Sequence, residues 1–361
     1  MGTDELIFLA VVAVRLGVPL FIPRFPLPAI LVCLVVDAAD QTIFQNNTDL
    51  DLDGYQGYDK ALDVYYLAIA YLSTIRNWTE PFAYRTAQFL WYYRLVGVFL
   101  FESTDVRALL MVFPNTFEYF FIAYEAVRLM WNPERLSHRQ VVGLAAFIWI
   151  FIKLPQEWWI HIAQLDFTDF MREDVLGVPL DTSWGDALSQ NLWFVALLIA
   201  VVVGLVIGGR VLARRLPPHD WPFSMDVDAH PGRPVPAAEA TSGRSIEVWH
   251  LVEKVALVSL IVTIFAMVLP SSDVSLLGAA APVGFVILAN AAVSHWLSRR
   301  GVTWTSVLVE LVAMLTVNAV AAWVFIAVAR SSDTVVNEAG LLFFLLLLTL
   351  IVTLFDRFTR T

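Results

Sequence analysis

The stretch 150–169, IFIKLPQEWWIHIAQLDFTD, sets ionisable side chains into an apolar helical pattern. At about 100° per residue, Lys153, Glu157, His161 and Gln164 share roughly one quarter of the helix circumference, which predicts a polar stripe on an apolar wall. Near the centre of a bilayer each full charge costs about 3 kcal/mol, so the stripe must face partners, water or a solute rather than lipid. A carboxylate, an ammonium and an imidazole in one row can hold an ion, relay protons or act as general acid and base.

Arg15, Asp37, Asp40, Gln41, Asp63, Arg94, Asn115 and Glu118 also interrupt apolar windows. Measured from the expected outer end of each helix at about 1.5 Å per residue, the polar groups sort into layers. Asp40, Gln41, Asp63 and His161 fall about 6 to 9 Å down; Asp37, Arg94, Asn115 and Glu157 about 12 to 14 Å; Arg15, Glu118 and Lys153 about 16 to 18 Å. Both deeper layers contain acids and bases. This predicts one shared polar interior in which charges compensate across helices, Arg94 with Asp37 being one such pairing. Asp59, Asp63, Tyr66, Ala70 and Ser73 make one stripe on the expected third helix, as Glu118 and Glu125 do on the fifth. Pro114 and Pro155 remove backbone donors at the same depth, which predicts kinks that free the carbonyls of Leu110 and Phe151. Aromatic residues crowd Arg94, Glu118 and Glu157, either walling a pocket or packing helices.

The segment DLDLDGYQGYDKALD places Asp49, Asp51, Asp53 and Gly54 in the opening pattern of a calcium loop. Lys60 stands where that loop needs a bidentate glutamate, leaving Asp59 or Asp63 to substitute. The expectation is Ca2+ or another divalent cation in the 49–59 loop, against a plain acidic loop; no other cofactor is expected.

The elements that must position these groups follow from composition. With 361 residues, 58% hydrophobic and 16% charged, the chain is not an ordinary soluble globule but an all-α, polytopic integral membrane protein. Windows of about 20 residues predict eleven spans, with ten to twelve as the range, at 5–22, 28–46, 60–78, 83–102, 106–130, 140–165, 190–210, 248–269, 275–297, 303–329 and 338–356. Arginine-bearing ends alternate with acidic ones, which predicts an external N-terminus, a cytoplasmic C-terminus and a multi-pass protein of the plasma membrane. The acidic start MGTDEL lacks the basic opening of a signal peptide, so the first span is expected to be retained.

Residues 1–189 are expected to form a charge- and aromatic-rich six-helix bundle and 190–215 a seventh span. Residues 216–246 read as a flexible, proline-rich cytoplasmic linker. His219, Asp220, Asp226, Asp228 and His230 within it lack a recognised metal-ligand spacing and read as solvated. Residues 247–361 read as a four-helix apolar scaffold with Asn290, Glu310 and Asn318 as polar exceptions.

Much chemistry is excluded. The lone Cys33 forms no intrachain disulfide or thiolate metal site, and no Walker loop, GxSxG or HExxH occurs. A net charge of -10 without a basic tract argues against nucleic acid. Three readings stand. One is a secondary transporter or permease of a small polar or ionic solute, with Glu118, Glu157 or Asp37 exchanging protons. The second is an intramembrane enzyme on a lipid or lipid-linked substrate, with Glu157 or Asp37 as base and His161 as shuttle. In the third, buried charges lock the helices of a scaffold.

Overall fold

The computed structural model describes residues 2–48, 55–165, 167–229, 244–268 and 338–360, with scattered positions between 312 and 323. Every regular element among the described residues is helical. α1 (Thr3–Gly17) carries Asp4 and Glu5 in its first turn and Arg15 in its last, the arrangement its dipole favours. α2 (Pro26–Asn47) starts on proline, where a missing N–H costs nothing. α3 spans Tyr55–Asn77, and α4 (Pro81–Thr104) is capped by the Glu80 carboxylate on the Ala83 amide.

The two prolines behave differently. Around Pro114 the expected span 106–130 breaks instead of kinking, giving α5 (Ala108–Val112), a non-helical Phe113–Asn115 and α6 (Thr116–Arg128). Around Pro155 the helix α7 (His138–Ile162) stays continuous by widening into π turns at Ile148–Lys153 and Trp158–Ile162. A box of Ser137 and Gln140 fixes where α7 begins. α8 (Leu192–Ala213), α9 (Arg244–Val268) and α10 (Glu338–Arg360) follow.

Among the described residues, four helical stretches, His138–Ile162, Leu192–Val211, Trp249–Val268 and Gly340–Thr359, are long and apolar enough to cross a membrane. Two of the expected spans at the N-terminal end fall short of that measure for a physical reason: α1 has 15 residues, and α3 carries Asp59, Lys60, Asp63 and Arg76. The expected spans 275–297 and 303–329, with Asn290, Glu310 and Asn318, fall outside the described residues apart from those scattered positions.

α9 and α10 do not stand apart as a separate scaffold. Leu257, Ile261, Leu347, Ile351 and Phe355 share one buried core with Tyr65, Ile69, Leu72, Trp91 and Phe117, because both helices pack on α3. α8 is apolar all round, and none of its spanning stretch is buried against the protein. Its length and composition suit a membrane crossing. The proline-rich connection also departs from expectation: its first half, 217–229, returns to the bundle and bonds to its arginine-bearing end.

Lys254 of α9 donates to both oxygens of Asp356 on α10 at 2.7 and 2.8 Å, and both residues are about 5% exposed. Removing one partner leaves the other's buried charge without this countercharge. Lys254→Met is expected to cost about 3 to 5 kcal/mol, whereas Lys254→Met with Asp356→Leu recovers most of it. Thermal unfolding of the three proteins in detergent checks this.

Candidate functional site

The site is built around the broken helix. A break leaves carbonyls at the end of α5 and amides at the start of α6 without helical partners. Side chains of neighbouring helices take them. The Tyr93 hydroxyl donates to the Val112 carbonyl at 2.9 Å, and Arg94 donates to the Phe113 carbonyl at 3.1 Å. The Asn115 amide donates to Glu157 Oε1 at 3.2 Å, and its side-chain amide to Glu118 Oε2 at 2.9 Å. Gly97 makes the approach of α4 possible, since a Cβ there would stand 2.1 Å from the Cβ of Phe113.

From the break the polar contacts continue in both directions. On α7, Glu157 Oε2 lies 3.1 Å from His161 Nε2, and Glu157 Oε1 lies 3.5 Å from the Lys153 ammonium. Lys153 also donates to Gln156 at 3.0 Å and sits 4.6 Å above the Tyr119 ring. Glu118, Lys153 and Glu157 are each 4% exposed. Two polar atoms at the break, Asn115 Oδ1 and Thr116 Oγ1, are buried without a partner, as is Trp159 Nε1 on α7.

Toward α3, the Tyr66 hydroxyl donates to Glu118 Oε1 at 2.5 Å. One turn earlier on α3 is Asp63, a member of the second cluster. There the Arg15 guanidinium donates through one nitrogen to Asp40 and Asp59 and through the other to Asp37 and Asp63. Four carboxylates from two helices thus meet one planar fork, an arrangement that Arg satisfies and a point charge does not. Oxygens of Asp37, Asp59 and Asp63 lie within 4.8 Å of one another, close enough to share a divalent cation.

The expected stripe 153, 157 and 161 forms as read. Gln164 does not join it: the chain turns left-handed there, with φ 52°, and the residue is exposed after the helix has ended. Arg94 and Asp37 do not pair, because Arg94 is spent on a freed carbonyl and Asp37 on Arg15. Arg15, placed deepest by its Cα, reaches the outer acids through its long side chain. Gln41 is in α2, but its side chain lies outside the described ones. Asp49, Asp51 and Asp53 lie outside the described residues.

The sequence reading passed over a third node. Glu253 of α9 accepts from the Tyr71 hydroxyl and from Gln88 at 2.8 Å, with the Tyr84 hydroxyl at 3.5 Å. Its signal was the doublet Glu253-Lys254 inside an apolar window, which reads as a span end when only the one helix is considered. Asp59 and Tyr66 were visible as members of a stripe, though not as its binding members.

Compared with protein family models, curated proteins and solved structures, the chain matches none.

The closeness of Gly97 to the break is directly testable. Gly97→Ala is expected to cost about 1 to 3 kcal/mol through overpacking. Adding Phe113→Ala should relieve it only in part, because it removes Cγ at 2.7 Å but keeps Cβ at 2.1 Å, whereas adding Phe113→Gly removes both. Thermal unfolding in detergent separates the two.

Proposed function

We propose that this protein is a secondary transporter or permease for a small polar or ionic solute, with protons exchanged at Glu118 and Glu157. The observation that carries the reading is the interrupted helix whose backbone groups are held by charged and phenolic side chains of α4 and α7. Non-helical backbone at membrane depth persists only where protein buries it or where it lines a watered cavity, and transport sites use such breaks. In this reading the eleven-span arrangement holds, the arginine-bearing end is cytoplasmic and the protein sits in the plasma membrane.

The mechanism follows from what each carboxylate holds. Glu157 accepts from Asn115 and neighbours Lys153 and His161, so a proton on it weakens its hold on the α6 start and on both cations. Glu118 accepts from Tyr66 and from the Asn115 side chain, so a proton there loosens α3 from the same residue. Asn115 is shared by both. Loading of either acid therefore changes what fixes the break, which couples protonation to movement of α6 against α5.

A second reading rests on the Asp37, Asp59 and Asp63 oxygens. Their side chains are 27%, 37% and 39% exposed, so a divalent cation could reach them and polarise a phosphate on a lipid-linked substrate. This moves the expected cation from the 49–59 loop onto the carboxylates at its border.

The deciding test places a cysteine at the break. With Cys33→Ala as background, Asn115→Cys is expected to react with a membrane-impermeant thiol reagent applied outside cells. Absence of labelling in a folded protein would sink the transport reading. With labelling present, Glu118→Gln in proteoliposomes is expected to abolish solute-driven proton movement. Manganese binding lost in Asp63→Asn would instead favour the metal-dependent reading.

A further inference from the structure

The arginine-bearing end of the bundle is covered by 217–229, and every acid in that stretch is spent on it. Arg24 donates to Asp226 at 2.8 and 3.1 Å, Arg76 donates to Asp228 at 2.8 and 3.1 Å, and Arg135 pairs with Asp220 at 2.6 Å. Backbone bonds tie the same stretch down: the Asp220 amide to the Met130 carbonyl at 2.9 Å and the Val227 amide to the Arg24 carbonyl at 3.0 Å. The Trp221 indole donates to the Arg128 carbonyl at 3.0 Å, and Trp131 donates to the Pro217 carbonyl at 3.0 Å. Proline-rich chain cannot build a core of its own, so its order comes from this docking.

What lies beneath gives the docking a role. Leu27, Glu125, Arg128 and Leu129 line a small pocket roofed by Met225 and Val227. Glu125 accepts from Arg128 at 2.7 Å and from the Trp78 indole at 2.6 Å. On α6, Glu125 is seven residues from Glu118 and on the same face. Between them stand Phe120, Phe121 and Tyr124, with Trp78, the residue after α3, packed on all three, each at most 1% exposed. The order along α6 is polar network, aromatic plug, ion pair, strap.

We propose that 217–229 is a releasable strap that closes the arginine-bearing mouth of the polar interior. This rests on the transport reading for the meaning of that mouth. The attachment suits release rather than permanence: each of its three pairs has one side chain open to solvent, Arg24, Arg135 and Asp228 at 60%, 62% and 38% against 23%, 14% and 18% for Asp226, Asp220 and Arg76, and such half-exposed pairs hold weakly and respond to salt. Arg24 holds the Asp226 carboxyl below the usual aspartate range by its hydrogen bond. That contribution is complete above the ordinary aspartate value and is lost as pH falls through the lowered one, so the Arg24–Asp226 pair keeps it in full at neutral pH.

The test reads the pocket itself. In the Cys33→Ala background, Leu129→Cys is labelled by a thiol reagent in permeabilised membranes, with the exposed Phe223→Cys as the reference rate. Asp226→Asn with Asp228→Asn is expected to raise the Leu129→Cys rate roughly two- to thirty-fold, the range that loss of two exposed pairs supplies. Arg24→Gln, and 1 M salt acting on the parent, should move it the same way. An unchanged rate in the double variant, a parent rate already equal to that of Phe223→Cys, or a rise confined to the aspartate variants would each overturn the strap. The assay reads the cover whatever happens to the transport reading, which falls on the Asn115→Cys result instead.

Discussion

A backbone group withdrawn from water must be given another partner, and at Phe113–Asn115 this requirement organises the molecule. Leaving several carbonyls and amides unmet in a low-dielectric interior costs several kcal/mol, more than a marginally stable chain can spare. Arg94, Tyr93 and Glu157 meet them, which fixes α4 and α7 against the break. Gly97 is small because Phe113 needs its space, and the π turns on either side of Pro155 carry α7 past a proline that would otherwise break it. A hydrogen-bond requirement thus becomes a constraint on three helices.

The charges obey the same logic at two ends. Near the 49–54 connection, acids from α2 and α3 converge on Arg15; at the opposite end, arginines converge on acids of the strap. The difference is burial. Arg15 and Asp40 are 6% and 2% exposed, so at least that pair is held in a low-dielectric setting where loss of one partner is costly, while Asp37, Asp59 and Asp63 reach it from the more open side. The strap pairs stand largely in water, where the same chemistry is weak and reversible.

How much of this was legible depended on which quantity set each feature. The stripe of Lys153, Glu157 and His161 could be read because helical period alone decides it, and Gln164 was misread because a single left-handed residue ends the helix. Pairings were harder. Depth along a helix places a Cα, but a guanidinium extends well beyond it, so Arg15 met acids expected in shallower layers. Pro114 announced a missing donor without saying whether the chain would kink or break; neighbours from α4 and α7 made the break affordable. The aspartates of 220–228 showed no ligand spacing because their partners, Arg24, Arg76 and Arg135, come from three distant segments. Glu253, Lys254 and Asp356 stand within a few residues of the span ends expected at 248 and 356, where a charge draws no notice.

The Lys254–Asp356 pair also imposes an order in time. Its members are 102 residues apart, so at about 5 to 20 residues per second roughly 5 to 20 s of synthesis separate the two. For that interval α9 has been made while the acid that neutralises its lysine does not yet exist, and α3 still lacks the helix that covers it. Completion of the bundle therefore waits for α10, and the ribosome's pace over the 102 residues between Lys254 and Asp356 becomes part of how this chain assembles.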